Sequence, residues 1–318
     1  MNVNELSFMN PLPEINRDRK KNQKTDPTET ELEDKRLKIF GEKMNINYLF
    51  IDINNYHFKT WKECFLDKNV KLRSLVTNHH WLDFFNSVKN RKYFEDLETK
   101  LSSYIENERL IFPYAEFVFN AFNLIPPNKI KVVILGQDPY INIEMINKKQ
   151  IPQAMGLSFS VPYGISKPPS LQNIFKNLFN YGHIKKIPDS GCLAGWILQG
   201  CFLINSAFTT FYKESNAHKN EWSSFSKELI KYLNDKCTNI VFVAWGLNAY
   251  SLCKDINTHK HNLIISSHPS RLSFNRTFTW TEGRNKKEFP SFSATNHFGK
   301  INEYLESVDK LPIIWDLI

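Results

Sequence analysis

The chain has little of what builds a disulfide framework, a metal centre or a membrane span. Its 318 residues include only five cysteines: Cys64, Cys192, Cys201, Cys237 and Cys253. They are odd in number and scattered, with no CxxC pair. That argues against a disulfide scaffold, a zinc site and a cysteine-ligated iron–sulfur cluster, and for a reducing compartment. No apolar stretch approaches the roughly 18 residues that span a bilayer, and the N-terminus lacks the apolar core of a signal peptide. The expectation is a soluble intracellular protein with no membrane partner. Glycine is also scarce, at 11 residues, and forms no phosphate-cradling loop. With no GxSxG elbow either, small-molecule hydrolase or transferase chemistry of the usual α/β kinds lacks support.

What is present suits a folded protein that meets a polyanion. Hydrophobic residues at 42% and aromatics at 14% suffice for a sizeable core. A net charge of +8 favours nucleic acid, because each neutralised phosphate releases counterions, although many soluble proteins are mildly basic. Residues 1 to about 45 are polar and carry Pro11, Pro13 and Pro27 with no period, as in a flexible tail. Within it Arg17, Arg19, Lys20 and Lys21 are either a nuclear-import signal or a solvated run. Residues 46 to 77 offer Tyr48, Phe50, Tyr56, Phe58 and Trp61 as apolar anchors without periodicity. The expected division is therefore a polar extension over 1–77 and a folded domain over 78–318.

From residue 78 the periods sharpen. Trp81, Phe84, Phe85 and Val88 recur at helical spacing, as do Leu97, Leu101 and Tyr104. Helical patterns also cover Ser170–Phe179 and Trp222–Leu233, the latter with Trp222, Phe225, Leu229 and Leu233 on one face. Four short runs, Lys131–Leu135, Cys201–Ile204, Ile240–Trp245 and Asn262–Ser266, are apolar without alternation. That is expected of strands covered on both faces in a parallel sheet, and the alternation with helices predicts an α/β sandwich.

Ligands of open α/β sheets bind outside the carboxyl ends of the strands. The residues just after the four runs are Gly136-Gln137-Asp138-Pro139-Tyr140, Asn205-Ser206, Gly246-Leu247 and His268-Pro269-Ser270-Arg271-Leu272-Ser273. Singly, Asp138 could cap a turn, Asn205 could bond a loop and His268 could be a satisfied interior histidine. Together they place a carboxylate, an amide, a glycine turn and an imidazole on one rim, which reads as an enzyme site without naming a substrate.

The motifs then become recognisable. VVILGQDPY resembles the water-activating motif of the uracil-DNA glycosylase family (family 1), and HPSRLS resembles its DNA-intercalating loop. GLSFSV (156–161), PPSLQNIF (168–175), GWILQGCFLINSAFT (195–209), VFVAWG (241–246), HFGKIN (297–302) and LPIIW (311–315) keep the family's order. The resemblance runs from about residue 78 to the end. It implies a three-layer α/β sandwich with a central four-stranded parallel sheet flanked by helices. It implies a monofunctional glycosylase that flips uracil out of DNA and hydrolyses its N-glycosidic bond, initiating base-excision repair without cofactor or metal.

By the same resemblance Asp138 and His268 are the catalytic pair. Asp138 faces the sugar cation and its attacking water, and His268 donates to uracil O2. Gln137, Tyr140, Phe159 and Asn205 form the uracil pocket. Asn205 pairs with O4 and N3–H, Tyr140 bars the thymine methyl, and Phe159 stacks on the base. Ser170, Gly246, Ser270 and Ser273 contact phosphates, as does His218 in AHKNEW, and Leu272 is the wedge that enters the duplex. The implied partner is uracil-containing DNA, single- or double-stranded, bound by a monomer. The tail could reach replication or repair proteins, in the nucleus or a mitochondrion.

Several positions depart from the family pattern. Ile141 stands where histidine is usual, and extra residues separate it from Gln153. Arg271 replaces a proline, Leu247 a small hydroxyl residue, and Ala217 lacks a hydroxyl. An insertion between Arg276 and His297, carrying Trp280, Arg284, Lys286 and Lys287, is either a basic DNA-contacting flap or a passive surface loop. The rival reading is a weakened relative serving as a DNA-binding or replication accessory module. Loss of Asp138 or His268 would favour it, and both are present.

Overall fold

A computed structural model describes residues 59–316. The expected tail and its Arg17–Lys21 cluster lie outside these residues. Helices α1 (Leu82–Val88) and α2 (Lys92–Glu106) bury the faces read from their spacing, Phe84, Phe85 and Val88 on one and Leu97 and Leu101 on the other. Strand β1 (Val132–Gly136) follows, then a hairpin of β2 (Ile143–Ile146) and β3 (Lys149–Pro152). Next come α3 (Pro169–Asn180), β4 (Cys201–Asn205), α4 (Lys219–Lys236), β5 (Val241–Trp245), α5 (Leu247–Cys253) and β6 (Asn262–Ser266). A second hairpin of β7 (Phe278–Glu282) and β8 (Asn285–Phe289) precedes α6 (His297–Ser307).

The four apolar runs pair in parallel in the order β4-β1-β5-β6. Strands β1 and β5 are buried along their whole length, which is why neither alternates. Register puts Phe202, Val133 and Phe242 on one face of the sheet and Val243 and Trp245 on the other. On the first face Trp81 stacks on Phe202 at 5.2 Å, and Phe84, Phe122 and Phe225 close around it. On the second, Phe298 of α6 meets Trp245 and Trp315 edge-on. Helix, sheet and helix therefore form the three layers expected.

The packed unit begins earlier than the boundary expected at residue 78. Trp61, Val70 and Leu72 are at most 3% exposed and belong to the same core as the sheet. The Trp61 indole donates to the Pro113 carbonyl at 2.9 Å, and the backbone N–H groups of Val70 and Leu72 donate to Ser102 Oγ and to Glu98. This segment wraps α2 as a short helix and 3₁₀ turns, so its apolar residues follow neither a helical nor a strand period.

The sheet order fixes where a ligand can sit. The chain leaves β1 for β4 on one side, whereas it leaves β5 for β6 on the other. The connections diverge above the carboxyl ends of β1 and β5 and leave a crevice there.

Candidate active site

A cavity of about 510 Å³ occupies that crevice, lined by Gln137, Asp138, Tyr140, Phe159, Asn205 and His268 together with Ser170, Ser270, Leu272 and Ser273. Residues expected from three strand ends, those of β1, β4 and β6, thus meet in one place, while Gly246 at the end of β5 lies beside His268 and outside the lining. Gly136 and Asn205 are register partners at the ends of β1 and β4. A Cβ at Gly136 would lie 2.1 Å from Asn205 Oδ1, so only glycine lets the amide come this close to β1.

Asp138 is half-buried, and two donors converge on its Oδ2. The Ser215 hydroxyl lies at 2.9 Å and the Asn216 backbone N–H at 2.7 Å. Burial pushes the carboxyl pKa up, and these hydrogen bonds pull part of the way back. Asn216 can point its N–H at the carboxylate because its φ is +61°, a conformation that asparagine tolerates better than most residues. Its side-chain oxygen also accepts from Gln137 Nε2 at 2.6 Å. Sequence reasoning passed over both residues. The signal available was the small polar run Glu214-Ser215-Asn216 just ahead of AHKNEW.

The state of His268 follows from one bond. The Ser270 backbone N–H donates to Nδ1 at 3.0 Å, so Nδ1 carries no proton and Nε2 bears the ring N–H. Burial lowers the imidazole pKa to about 4, so the ring is neutral near pH 7 and is a hydrogen-bond donor, not an acid. Gly246, at φ +87°, lets β5 turn into α5 beside it, and a Cβ there would approach His268 Cβ to 3.1 Å.

Phe159 sits at φ +62°, an unfavourable backbone for a bulky residue. Ser158 before it is tied to β1 and β4 through Oγ to the Ile134 carbonyl and N–H to the Leu203 carbonyl. The Tyr140 hydroxyl donates to the Phe159 carbonyl at 3.1 Å. The Phe159 ring meets Trp245 edge-on at 5.3 Å and tilts toward His268 at 5.8 Å. Tyr140 and Phe159 are thus set against each other as walls of one slot.

The loop residues frame the opening. Leu272 is 79% exposed beside the cavity, a large apolar side chain held out in solvent. Its loop is fastened below. Ser267 Oγ donates to the Ser273 carbonyl and accepts from Phe292 N–H, and Asn173 Nδ2 donates to the Pro269 carbonyl. Ser170 occupies the first turn of α3.

His218 does not join them, contrary to the expected phosphate contact. It is 1% exposed, stacked on Tyr104 at 5.0 Å and against Phe211 at 4.3 Å. Its Nδ1 pairs with Thr209 Oγ1 at 2.8 Å, and Trp222 Nε1–H donates to the same hydroxyl. It anchors the start of α4 beneath the Ser215–Asn216 turn, and a buried ring cannot reach a phosphate.

The insertion between Arg276 and His297 is the β7–β8 hairpin, and it does not arch over the cavity. Trp280 and Phe289 pack on Tyr250 at 5.4 and 4.7 Å, and Lys254 pairs with Glu282 near the tip. Because α5 runs away from the rim, the hairpin lies back along it. Arg284 at the tip is carried toward the far end of that helix. Among the described residues, no group of three histidine, cysteine or carboxylate side chains is placed to hold a metal ion.

Comparison with known proteins agrees with this geometry. Residues 122–305 match the model of the uracil DNA glycosylase superfamily. A probable uracil-DNA glycosylase of Acanthamoeba polyphaga mimivirus is 50% identical over 282 residues, 88% of this chain and 75% of the relative. The uracil-DNA glycosylase of Buchnera aphidicola is 40% identical over 238 residues, 74% of this chain and 95% of the relative. The crystal structure of mimivirus uracil-DNA glycosylase superposes with a TM-score of 0.83 at 50% identity, covering 86% of this chain and all of that one.

Proposed function

This chain belongs to the uracil-DNA glycosylase superfamily, and we propose that its cavity does that work with Asp138 and His268 as the catalytic pair. The activity is that of a uracil-DNA glycosylase, which hydrolyses the N-glycosidic bond of deoxyuridine in DNA and leaves an abasic site without a lyase step. The observation that carries the assignment of roles is the pairing of charge states in one cavity. A carboxylate held by Ser215 and Asn216 and a neutral imidazole presenting Nε2–H line the same cavity.

Breaking this bond leaves positive charge on the sugar and negative charge on uracil. In our reading Asp138 faces the sugar, where it stabilises the oxocarbenium-like centre and orients the attacking water. His268 Nε2–H donates to uracil O2, a bond that strengthens as the anion forms in a pocket shielded from water. Asn205 pairs with O4 and N3–H and would leave cytosine unpaired, at a cost of orders of magnitude in rate. Tyr140 blocks C5, Phe159 stacks on the base, and Gln137 closes the slot. Ser170, Gly246, Ser270 and Ser273 hold the phosphates while Leu272 fills the gap left by the flipped nucleotide.

The test is uracil release from a labelled oligonucleotide in the presence of a chelator, abasic sites being revealed with alkali. The unmodified protein should cleave. Asp138→Asn and His268→Leu should each lose on the order of 10²-fold or more in rate, as when a transition-state charge partner is removed. No release by the unmodified protein refutes the enzymatic reading. Abolition by chelator refutes the metal-free one.

A further inference from the structure

We propose that Glu144, on the β2–β3 hairpin that follows the Asp138 motif, is a positioning residue that holds the 162–170 segment, and through it Ser170, for engagement with DNA. The proposal rests on the reading of Ser170 as a phosphate contact.

The hairpin is well formed. Its two central residues, Asn147 and Lys148, have φ +49° and +64°, the geometry of a tight two-residue turn. Its base is closed by Gln153 N–H donating to the Asn142 carbonyl at 3.0 Å, and Ile151 is fully buried. Ile141 and Ala154, which flank it, both line the cavity. From this rigid base Glu144 reaches across to a different loop. Its Oε2 accepts from the Ser166 N–H at 3.1 Å and the Ser166 hydroxyl at 3.0 Å, while Oε1 accepts from Gln153 Nε2 at 3.0 Å. Ser166 leads directly into Lys167-Pro168-Pro169 and Ser170 at the start of α3. On its other side the segment is tied by Lys167 Nζ to the Pro188 carbonyl and by Gln172 Nε2 to the Lys167 carbonyl. Glu144 is therefore the anchor from the hairpin side on the stretch of chain that delivers Ser170 to the cavity. Glu144 lies outside the cavity lining, and its hydrogen bonds go to Ser166 and Gln153, which lie outside it as well. An ordered loop meets a phosphate backbone without losing conformational freedom on binding, so this anchor acts on substrate binding and leaves the bond-breaking step alone.

The experiment compares the parent, Glu144→Ala, Glu144→Gln, Ser170→Ala and the double variant Glu144→Ala/Ser170→Ala, all as full chains. Steady-state KM and single-turnover kcat are measured on a uracil-containing oligonucleotide, with thermal midpoints alongside. Glu144→Ala should raise KM about three- to tenfold, what a partly exposed hydrogen bond to a charged group contributes, with kcat within about twofold. Glu144→Gln, which keeps an acceptor for Ser166, should recover part of the loss. In the double variant the two effects should be less than multiplicative, because Glu144 acts through Ser170. An unchanged KM for Glu144→Ala, or equal losses in KM and kcat, overturns the proposal, as does full multiplicativity. If Glu144→Ala raises KM while Ser170→Ala does nothing, the clamp through Ser170 is overturned because the phosphate reading of Ser170 is wrong. If only Ser170→Ala raises KM, that reading stands and the clamp alone is refuted.

Discussion

Replacing Ser215 by alanine isolates the setting of the Asp138 charge from the rest of the site. The hydroxyl is one of two donors to Oδ2, at 2.9 Å, and the Asn216 N–H at 2.7 Å remains when it is removed. A hydrogen bond to a charged group contributes about 1.5–3 kcal/mol net. Asp138 is half-buried at the cavity, and water replaces part of the lost bond, so about 1 kcal/mol is the appropriate figure. The bond favours the ionised form, so its loss raises a pKa that burial has already raised. The acid limb of the rate profile therefore moves to higher pH. The assay is single-turnover uracil excision between pH 4.5 and 8.5, which removes product release from the measurement. Ser215→Thr, which keeps the hydroxyl, should restore the limb. At the alkaline plateau the remaining loss reports orientation, not charge, and should stay within about fivefold, the same 1 kcal/mol expressed as a rate. A limb that stays in place or moves to lower pH for Ser215→Ala refutes the reasoning.

Three further outcomes are expected. Burial holds His218 and His268 near pKa 4 and His297 near 3, well below the free imidazole, so the stability they contribute is present above about pH 6.5 and lost as pH falls toward those values. The denaturant midpoint should fall across that window, with Asp138 opposing weakly because its shift is upward; a flat midpoint contradicts the burial of these rings. Gly246→Ala forces a side chain onto a glycine-only conformation at φ +87°, ψ 175°, a cost on the order of 1–3 kcal/mol, and crowds His268. Thermal stability and kcat should drop together, and loss of neither would refute the close approach. A chain starting at residue 78 lacks Trp61, Val70 and Leu72, and losing a single buried tryptophan already costs about 3–5 kcal/mol. It should fail to give a cooperative melt by circular dichroism where one starting at residue 59 succeeds.

The sheet was readable because strands covered on both faces stay apolar without alternating, and β1 and β5 are the clearest cases. The rim was readable because chain direction in a parallel sheet sends every strand end to the same edge. What escaped depends on side-chain partners distant in sequence. Ser215 and Asn216 look like ordinary turn residues until the turn is seen against Asp138. His218 was given a phosphate contact by the resemblance of AHKNEW alone, and only tertiary packing puts Tyr104 and Phe211 over its ring. Trp61 to Val76 lack a period because the segment wraps the core as turns. The insertion before His297 was legible as a basic surface element, but the aromatic pairing with Tyr250 that lays it along α5 was not.

The two insertions share an architecture with a consequence for how this rim can change. Each is a hairpin paired with itself, leaving and rejoining the chain at neighbouring points. Asn142 bonds Gln153 across one base, and Phe278 stacks on Phe289 at 4.9 Å across the other. Lengthening such an element alters closure entropy only logarithmically, about 0.6 kcal/mol per doubling of loop length, and leaves the registers of β1, β4, β5 and β6 untouched. The rim is thus modular. Segments can be grown or trimmed beside Tyr140 and beyond the Leu272 loop while Asp138, Asn205 and His268 keep their places.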